Sequence, residues 1–149
     1  MTSHDSLDIR EVIFINERCR VDYEAMPAEV RESADQAIDA LQNARPLPPK
    51  LYQSLGGTLA GINEIRLGHD DNTYRVYVTL KCPWIIMVLD AGIKKSTEGK
   101  NIPKWQKERL ETRYKKRVNT ARRMTLTSRP AATNARHGVT SSRRRTAHE

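Results

Sequence analysis

Residues 61–100 read GINEIRLGHDDNTYRVYVTLKCPWIIMVLDAGIKKSTEGK and contain the clearest secondary-structure pattern of the chain. They include three runs rich in β-branched and aromatic residues, and polar clusters typical of turns separate these runs. This pattern predicts three consecutive strands of an antiparallel meander. The third run is apolar on both faces, which favours a strand in the interior of the sheet.

Alternation divides the side chains of the predicted strands between the two faces of the sheet. Arg75 and Tyr77 share one face of the second strand, whereas Tyr74 points to the other face and into the core. We expect Arg66 of the first strand to lie within reach of Arg75, and the pair Lys94–Lys95 follows the third strand. One face of the sheet therefore combines cations with an aromatic ring, which suits a nucleic-acid phosphate.

The residues before the meander predict a strand and two helices. A strand over residues 8–15 precedes a short helix that Asn16 caps, and a longer helix runs from Pro27 to about Gln42. The longer helix carries an apolar stripe typical of a core face, formed by Val30, Ala34, Ile38 and Leu41.

The residues after the meander predict one further helix, from Pro103 to about Arg117. Beyond it the chain is rich in Arg, Ser and Thr and has few large apolar residues. The whole pattern predicts an α+β domain over residues 8–118, with a flexible N-terminus over 1–7 and a disordered basic tail over 119–149.

The charge of the chain changes sign along its length. Residues 1–64 contain six Lys and Arg against eleven Asp and Glu, a net charge of −5. Residues 65–118 contain thirteen against six, and residues 119–149 contain seven against one, for net charges of +7 and +6. A polyanion is the natural partner of the basic part, although ordinary surface lysines also give basic charge.

Several classes of protein are not indicated. The sequence has no apolar run near the roughly 18 residues of a membrane span and no signal-peptide pattern. Cys19 and Cys82 form no C-x-x-C pair, and the four histidines show no metal-ligand spacing. We expect a cytoplasmic protein with no metal, no other cofactor and no membrane partner.

The motifs of the meander occur in the same order as in a known family. They are Asn63–Arg66 (NEIR), Tyr74–Tyr77 (YRVY), Val88–Ala91 (VLDA) and Lys94–Ser96 (KKS). Together with the preceding strand, helix pair and connector, they resemble the HigB-type toxins of the RelE/ParE superfamily, many of which are phage-derived proteins. The resemblance covers about residues 8–118. Three positions differ from the family pattern, where Trp, His and Phe are often found in place of Asn63, Asp90 and Gly92.

The resemblance implies a RelE/ParE-like fold, in which a small antiparallel sheet packs against N-terminal helices and a C-terminal helix follows. It also implies the toxin of a type II toxin–antitoxin system. Such a toxin cleaves messenger RNA without a metal, commonly on the ribosome, and a cognate helix-turn-helix antitoxin inhibits it. By position, Arg66 and Arg75 match the two strand arginines of the family, and Lys94 and Lys95 match its basic pair.

Metal-free RNA cleavage assigns roles to these residues. Arg75 is the first candidate for the scissile phosphate, because its planar guanidinium matches two phosphate oxygens, and Arg66 holds the same phosphate or the adjacent one. Lys94 or Lys95 is the candidate for proton transfer. Candidates for binding RNA are Tyr77 or Tyr74, through the ring or the hydroxyl, and Lys81, Lys100 and Lys104.

Two other interpretations remain open. A strand arginine is often only the cross-strand partner of a carboxylate, for instance of Glu64. The protein as a whole also fits a non-catalytic nucleic-acid-binding module, or a gyrase inhibitor like the ParE members of the same superfamily.

Overall fold

The computed structural model describes residues 10–94, 102–124 and 144–146. Its elements, in chain order, are β1 (Glu11–Phe14), α1 (Glu17–Glu24), α2 (Ala28–Gln42), β2 (Tyr52–Ser54), β3 (Asn63–His69), β4 (Asn72–Thr79), β5 (Ile85–Lys94), α3 (Lys104–Lys115), α4 (117–124) and β6 (Arg144–Thr146). A 3-10 turn, Gly57–Leu59, lies between β2 and β3. The predicted α+β class is confirmed.

The strands form a sheet in the order β2-β3-β4-β5-β1-β6. The pairs β2–β3, β3–β4 and β4–β5 are antiparallel, which confirms the meander. However, β1 pairs with β5 in parallel, and β6 pairs with β1 in parallel, so the sheet is mixed rather than purely antiparallel. The parallel pairing arises because helices, not a hairpin, connect β1 to the rest of the sheet.

The two N-terminal helices follow the predicted signals. The Asn16 side chain accepts a hydrogen bond of 2.9 Å from the backbone N–H of Cys19, which satisfies a free donor at the start of α1. Tyr23 in α1 packs edge-on against Phe14 and donates a 2.6 Å hydrogen bond to Asp35 in α2. All four residues of the predicted apolar stripe of α2 are buried in the core.

Strand β5 occupies the centre of the sheet and is buried on both faces from Ile85 to Ala91, as predicted. A β-bulge interrupts its pairing with β4, because Tyr77 lies opposite Asp90 while Val78 lies opposite Val88. Leu89 therefore has no residue opposite it in the ladder. Its carbonyl oxygen accepts a 2.7 Å hydrogen bond from Arg113 of α3, so the bulge also anchors this helix.

Helix α3 packs against β5 and the 3-10 turn. Gly61 lies beneath Tyr114 of α3 with a φ of +98°, and a side chain at this position would collide with the tyrosine ring. The chain at Gly61 therefore needs both the backbone freedom and the small size of glycine.

Helix α4 spans residues 117–124 and so extends across residue 118, and the predicted domain boundaries stay a prediction. The predicted N-terminal segment 1–7 and most of the predicted tail lie outside the described residues. No helix in the described part of the chain has both the length and the hydropathy needed to cross a membrane.

Candidate functional site

The two strand arginines lie directly opposite each other, at the paired positions Arg66 of β3 and Arg75 of β4. They project from the same face, as predicted, and two like charges in this position repel each other. Glu64 supplies the counter-charge. Its Oε1 lies 2.7 Å from Nε of Arg66, and its Oε2 lies 2.9 Å from Nη1 of Arg75.

The Glu64 side chain is only 2% exposed. A buried carboxylate is tolerated only when it is paired and hydrogen-bonded, and Glu64 gains a third partner in the Tyr77 hydroxyl, which donates a 3.2 Å bond to Oε2. Burial, and next the negative charge of Glu64, raise the pKa of Tyr77 above its usual range. The hydroxyl is protonated at neutral pH, as in any tyrosine, and the raised pKa extends its role as a donor into the alkaline range.

These charged residues border a cleft of about 400 Å³. Its lining comprises Leu55, the segment 56–59, Glu64, Arg66, Arg75, Ile102 and Lys107. Gly57 adopts a φ of +61° in the 3-10 turn and has open space where a side chain would project. The volume lies within the range typical of small-ligand sites, and the lining combines cations with apolar walls.

Arg75 has a donor that its ion pair does not use. The buried Nε atom of Arg75 has no hydrogen-bond acceptor among the described residues. A buried donor without an acceptor costs about 1–3 kcal/mol. An anionic ligand that entered the cleft and bound this guanidinium would remove part of that cost.

Of the two predicted catalytic lysines, the structure describes Lys94. Lys94 pairs with Thr73 and lies on the same face as Arg75, two residues beyond Gly92, which pairs with Arg75. Lys94 is not among the residues that line the cleft. Lys95 lies outside the described residues.

The predicted RNA-binding residues also differ in position. Tyr77 is on the predicted face but only 1% exposed, so its ring is not available to stack on a base, and a role of its hydroxyl in RNA binding stays a prediction. Alternation gave the correct face, but it did not reveal how deeply this side chain is buried. Tyr74 is partly buried against the core, as alternation indicated.

The predicted lysines are dispersed. Lys81 is exposed but follows the far end of β4, six residues from Arg75 and therefore roughly 20 Å away along the strand. Lys104 is exposed at the start of α3, and Lys100 lies outside the described residues. Lys107 also lines the cleft but was not predicted from the sequence, because its position there depends on how α3 docks.

Asp90, one of the departures from the family pattern, has a structural role in this chain. It is fully buried, and its carboxylate lies 2.7 Å from Nη2 of Arg109 and 3.5 Å from Nη1 of Arg113. Gln106 of the same helix donates a 3.2 Å hydrogen bond to it. The negative charge thus fixes α3 to the sheet beside Tyr77, its cross-strand neighbour.

The site is thus a basic cleft of an α+β domain, built on two neighbouring strands and bordered by a helix. The family model described as "Phage derived protein Gp49-like (DUF891)" matches residues 22–115, which include every residue of this site. The chain therefore belongs to the Gp49-like family of phage-derived proteins. The family match confirms the phage-derived part of the resemblance, and the HigB type stays a prediction.

A solved structure with a similar chain is that of the toxin–antitoxin complex RelBE2 from Mycobacterium tuberculosis. The match has a TM-score of 0.43 and 19% sequence identity, and it covers 57% of this chain and 98% of that chain. No curated protein matches this sequence.

Proposed function

We propose that this protein is the toxin of a type II toxin–antitoxin system, and that it cleaves messenger RNA at the Arg66–Arg75 cleft without a metal. The observation that carries the proposal is the convergence of two guanidinium groups, from neighbouring strands, on one carboxylate beside a cleft. Glu64, Arg66 and Arg75 together carry a net charge of +1. A single phosphodiester, with its charge of −1, neutralises this group.

In the proposed reaction, the 2′-hydroxyl oxygen attacks the adjacent phosphorus and the bond from phosphorus to the 5′-oxygen breaks. The products carry a 2′,3′-cyclic phosphate and a 5′-hydroxyl. Arg75 and Arg66 hold the non-bridging oxygens, on which negative charge increases in the transition state. Because β3 and β4 fix both guanidinium groups, little reorganisation is needed during the reaction.

Glu64 has two roles in this proposal. It orients both arginines in the free protein, and it accepts the proton of the 2′-hydroxyl as the attacking oxygen forms its bond to phosphorus. Lys94, on the same face, is our candidate for donating a proton to the leaving 5′-oxygen, with Lys95 as the second candidate.

The proposed partners come from the family resemblance, and charge indicates where they bind. The messenger RNA, presented by the ribosome, binds the basic face that the meander and α3 form. A cognate helix-turn-helix antitoxin inhibits the toxin by covering this face, and an acidic segment would complement it.

A direct test uses purified protein and a translated messenger RNA. We expect fragments that begin with a 5′-hydroxyl, formed without added metal. The Arg75→Ala variant should lower the cleavage rate by roughly 10²–10³, the typical effect of removing one fixed donor to the transition state. Arg45→Ala is the matched control, because Arg45 is an exposed arginine that pairs only with Asp39 in the described part of the chain. Intact messenger RNA after prolonged incubation would contradict the proposal.

A second candidate function is binding without cleavage. The observation that favours it is that Glu64 already neutralises part of the charge of both arginines. In a gel-shift assay this candidate predicts retarded RNA and no cleavage product. A DNA supercoiling assay separates both candidates from a gyrase inhibitor, which alone would block the supercoiling reaction.

A further inference from the structure

A second, larger cleft lies on the opposite side of α3 from the Arg66–Arg75 cleft. Its volume is about 670 Å³, and it is lined by residues of α3 and α4 and by Ile15 and Asn16, which directly precede α1. We call it the α3–α4 groove. Its principal lining residues are Trp105, Arg109, Lys116, Asn119, Thr120 and Arg123.

Helix α3 separates the two sites. Trp105, Arg109, Thr112 and Lys116 recur at steps of four, three and four residues, so they share one side of the helix. Lys107, which lines the Arg66–Arg75 cleft, is two residues from Trp105 and therefore roughly 200° around the helix. Ile102, just before α3, lines the Arg66–Arg75 cleft, and the exposed Trp105 lines the groove, so the two sites are only three residues apart along the chain at the start of α3.

The groove is strongly basic. Arg109, Arg113, Lys116 and Arg123 all line it, whereas Glu108 is the one acidic residue among the described lining residues, and Asp90 pairs with Arg109. Asp90 lies behind the groove and is fully buried, so its charge fixes Arg109 and Arg113 and is not presented to a ligand. Lys116 and Arg123 are exposed to solvent.

Trp105 adds an aromatic surface. Its side chain is 54% exposed, unusually open for so large an apolar group. The guanidinium carbon of Arg109 lies 4.8 Å from the centre of the Trp105 ring, and Asp90 in turn holds Arg109 through its 2.7 Å ion pair. The tryptophan is therefore supported on one side, while much of its surface is accessible.

We propose that the α3–α4 groove is a second binding site that takes single-stranded RNA, with a base stacked on Trp105 and the adjacent phosphates on Lys116 and Arg123. Exposed aromatic rings next to spaced cations are the usual means of binding single strands, because every base can stack and every nucleotide carries a phosphate. The proposal deepens the proposed function and rests on it for the choice of RNA. An RNA strand held here continues around the start of α3 to the Arg66–Arg75 cleft.

The experiment measures binding of a fluorescently labelled single-stranded 2′-O-methyl oligonucleotide, which cannot be cleaved, by fluorescence anisotropy on the full chain. Loss of one base-stacking contact should weaken binding by roughly fivefold or more in Trp105→Leu. Trp105→Phe, which keeps an aromatic ring, should restore most of the affinity. Circular dichroism establishes that both variants are folded.

A matched pair of lysine variants tests the phosphate contact. Lys116→Gln should weaken binding and reduce the slope of log K against log salt by about 0.7, the value for one phosphate of a single strand. Lys50→Gln removes an exposed lysine that lines neither site, and it should leave both quantities unchanged.

Two results would overturn the proposal. One is an affinity in Trp105→Leu equal to that of the wild type. The other is displacement of the oligonucleotide by an acidic peptide of equal charge at the same concentration, which would assign the groove to a protein partner. The probe also separates this site from the cleavage site. If binding depends on Trp105 but the protein leaves messenger RNA intact, the RNA site in the groove is supported and the endonuclease proposal is contradicted. If cleavage is normal but binding does not depend on Trp105, the endonuclease proposal is supported and the RNA site in the groove is contradicted.

Discussion

At the scale of single residues, Glu64 determines the character of the site. Two arginines that face each other across β3 and β4 would repel without it, and with it they form a cluster around a buried carboxylate that retains one positive charge. Arg75 is the more constrained of the two, since its side chain is 13% exposed against 38% for Arg66. The site is therefore rigid on the Arg75 side and more open on the Arg66 side.

The Glu64→Gln variant tests this arrangement, because it keeps the shape of the side chain and removes its charge. Leaving two guanidinium groups opposite each other should reduce the free energy of unfolding by about 3 kcal/mol in urea denaturation. The cleavage rate should fall by roughly 10²–10⁴ if Glu64 accepts the proton. Glu32→Gln, at an exposed position of α2, is the matched control. Wild-type stability and rate in Glu64→Gln would exclude both roles.

Tyr77 gives the protein a predictable response to alkaline pH. Its pKa in the folded state is raised above the unfolded value of about 10, chiefly by burial, so the folded state keeps a proton that the unfolded chain loses. The stabilisation from this group is fully present below pH 10 and is lost as the pH rises further. The free energy of unfolding, measured from neutral to alkaline pH, should therefore decline less steeply in Tyr77→Phe. Parallel pH profiles for the two proteins would contradict this assignment.

At the scale of elements, helix α3 connects the two proposed sites. Among its residues only Leu110 and Arg113 are buried, so polar contacts to Asp90 and to the Leu89 carbonyl contribute much of its docking. The bulge in β5 exposes that carbonyl to the helix. The position of Lys107 in one site and of Trp105 in the other depends on this docking.

The Asp90→Asn variant should therefore release α3. Removing one partner of a buried ion pair typically costs about 3–5 kcal/mol, a large part of the stability of a small domain. We expect a lower urea midpoint and faster proteolysis within α3. Asp71→Asn, at an exposed turn position whose φ of +63° asparagine tolerates, is the control. Equal midpoints for Asp90→Asn and the wild type would show that apolar contacts alone hold the helix.

The same elements show how far the sequence predicts the structure. The meander, the capped α1 and the buried stripe of α2 follow from short-range periodicity, and each was predictable. The parallel pairing of β1 with β5 was not predictable, because it depends on a connection through two helices. The burial of Tyr77, the role of Asp90 and the position of Lys107 all require knowing where α3 docks, and a pattern within one strand or helix does not contain that information.

At the scale of the whole molecule, the charge is asymmetric and the two basic sites share one helix. Residues 1–64 carry a net negative charge and residues 65–149 a net positive charge, and the chain as a whole carries a net charge of +8. We expect the α3–α4 groove to hold the RNA strand and the Arg66–Arg75 cleft to cleave it. The match to the Gp49-like family model covers both strands of the cleft and the whole of α3.

Mapping transcript ends after inducible expression in bacterial cells tests whether the Arg66–Arg75 cleft cleaves messenger RNA. We expect new 5′-hydroxyl ends within translated messages for the wild type. We also expect these ends to fall by roughly 10²–10³ in Arg75→Ala, and to remain at the wild-type level in Arg45→Ala. An unchanged transcript population in cells that express the wild-type protein, or the same set of ends from Arg75→Ala, would contradict the account.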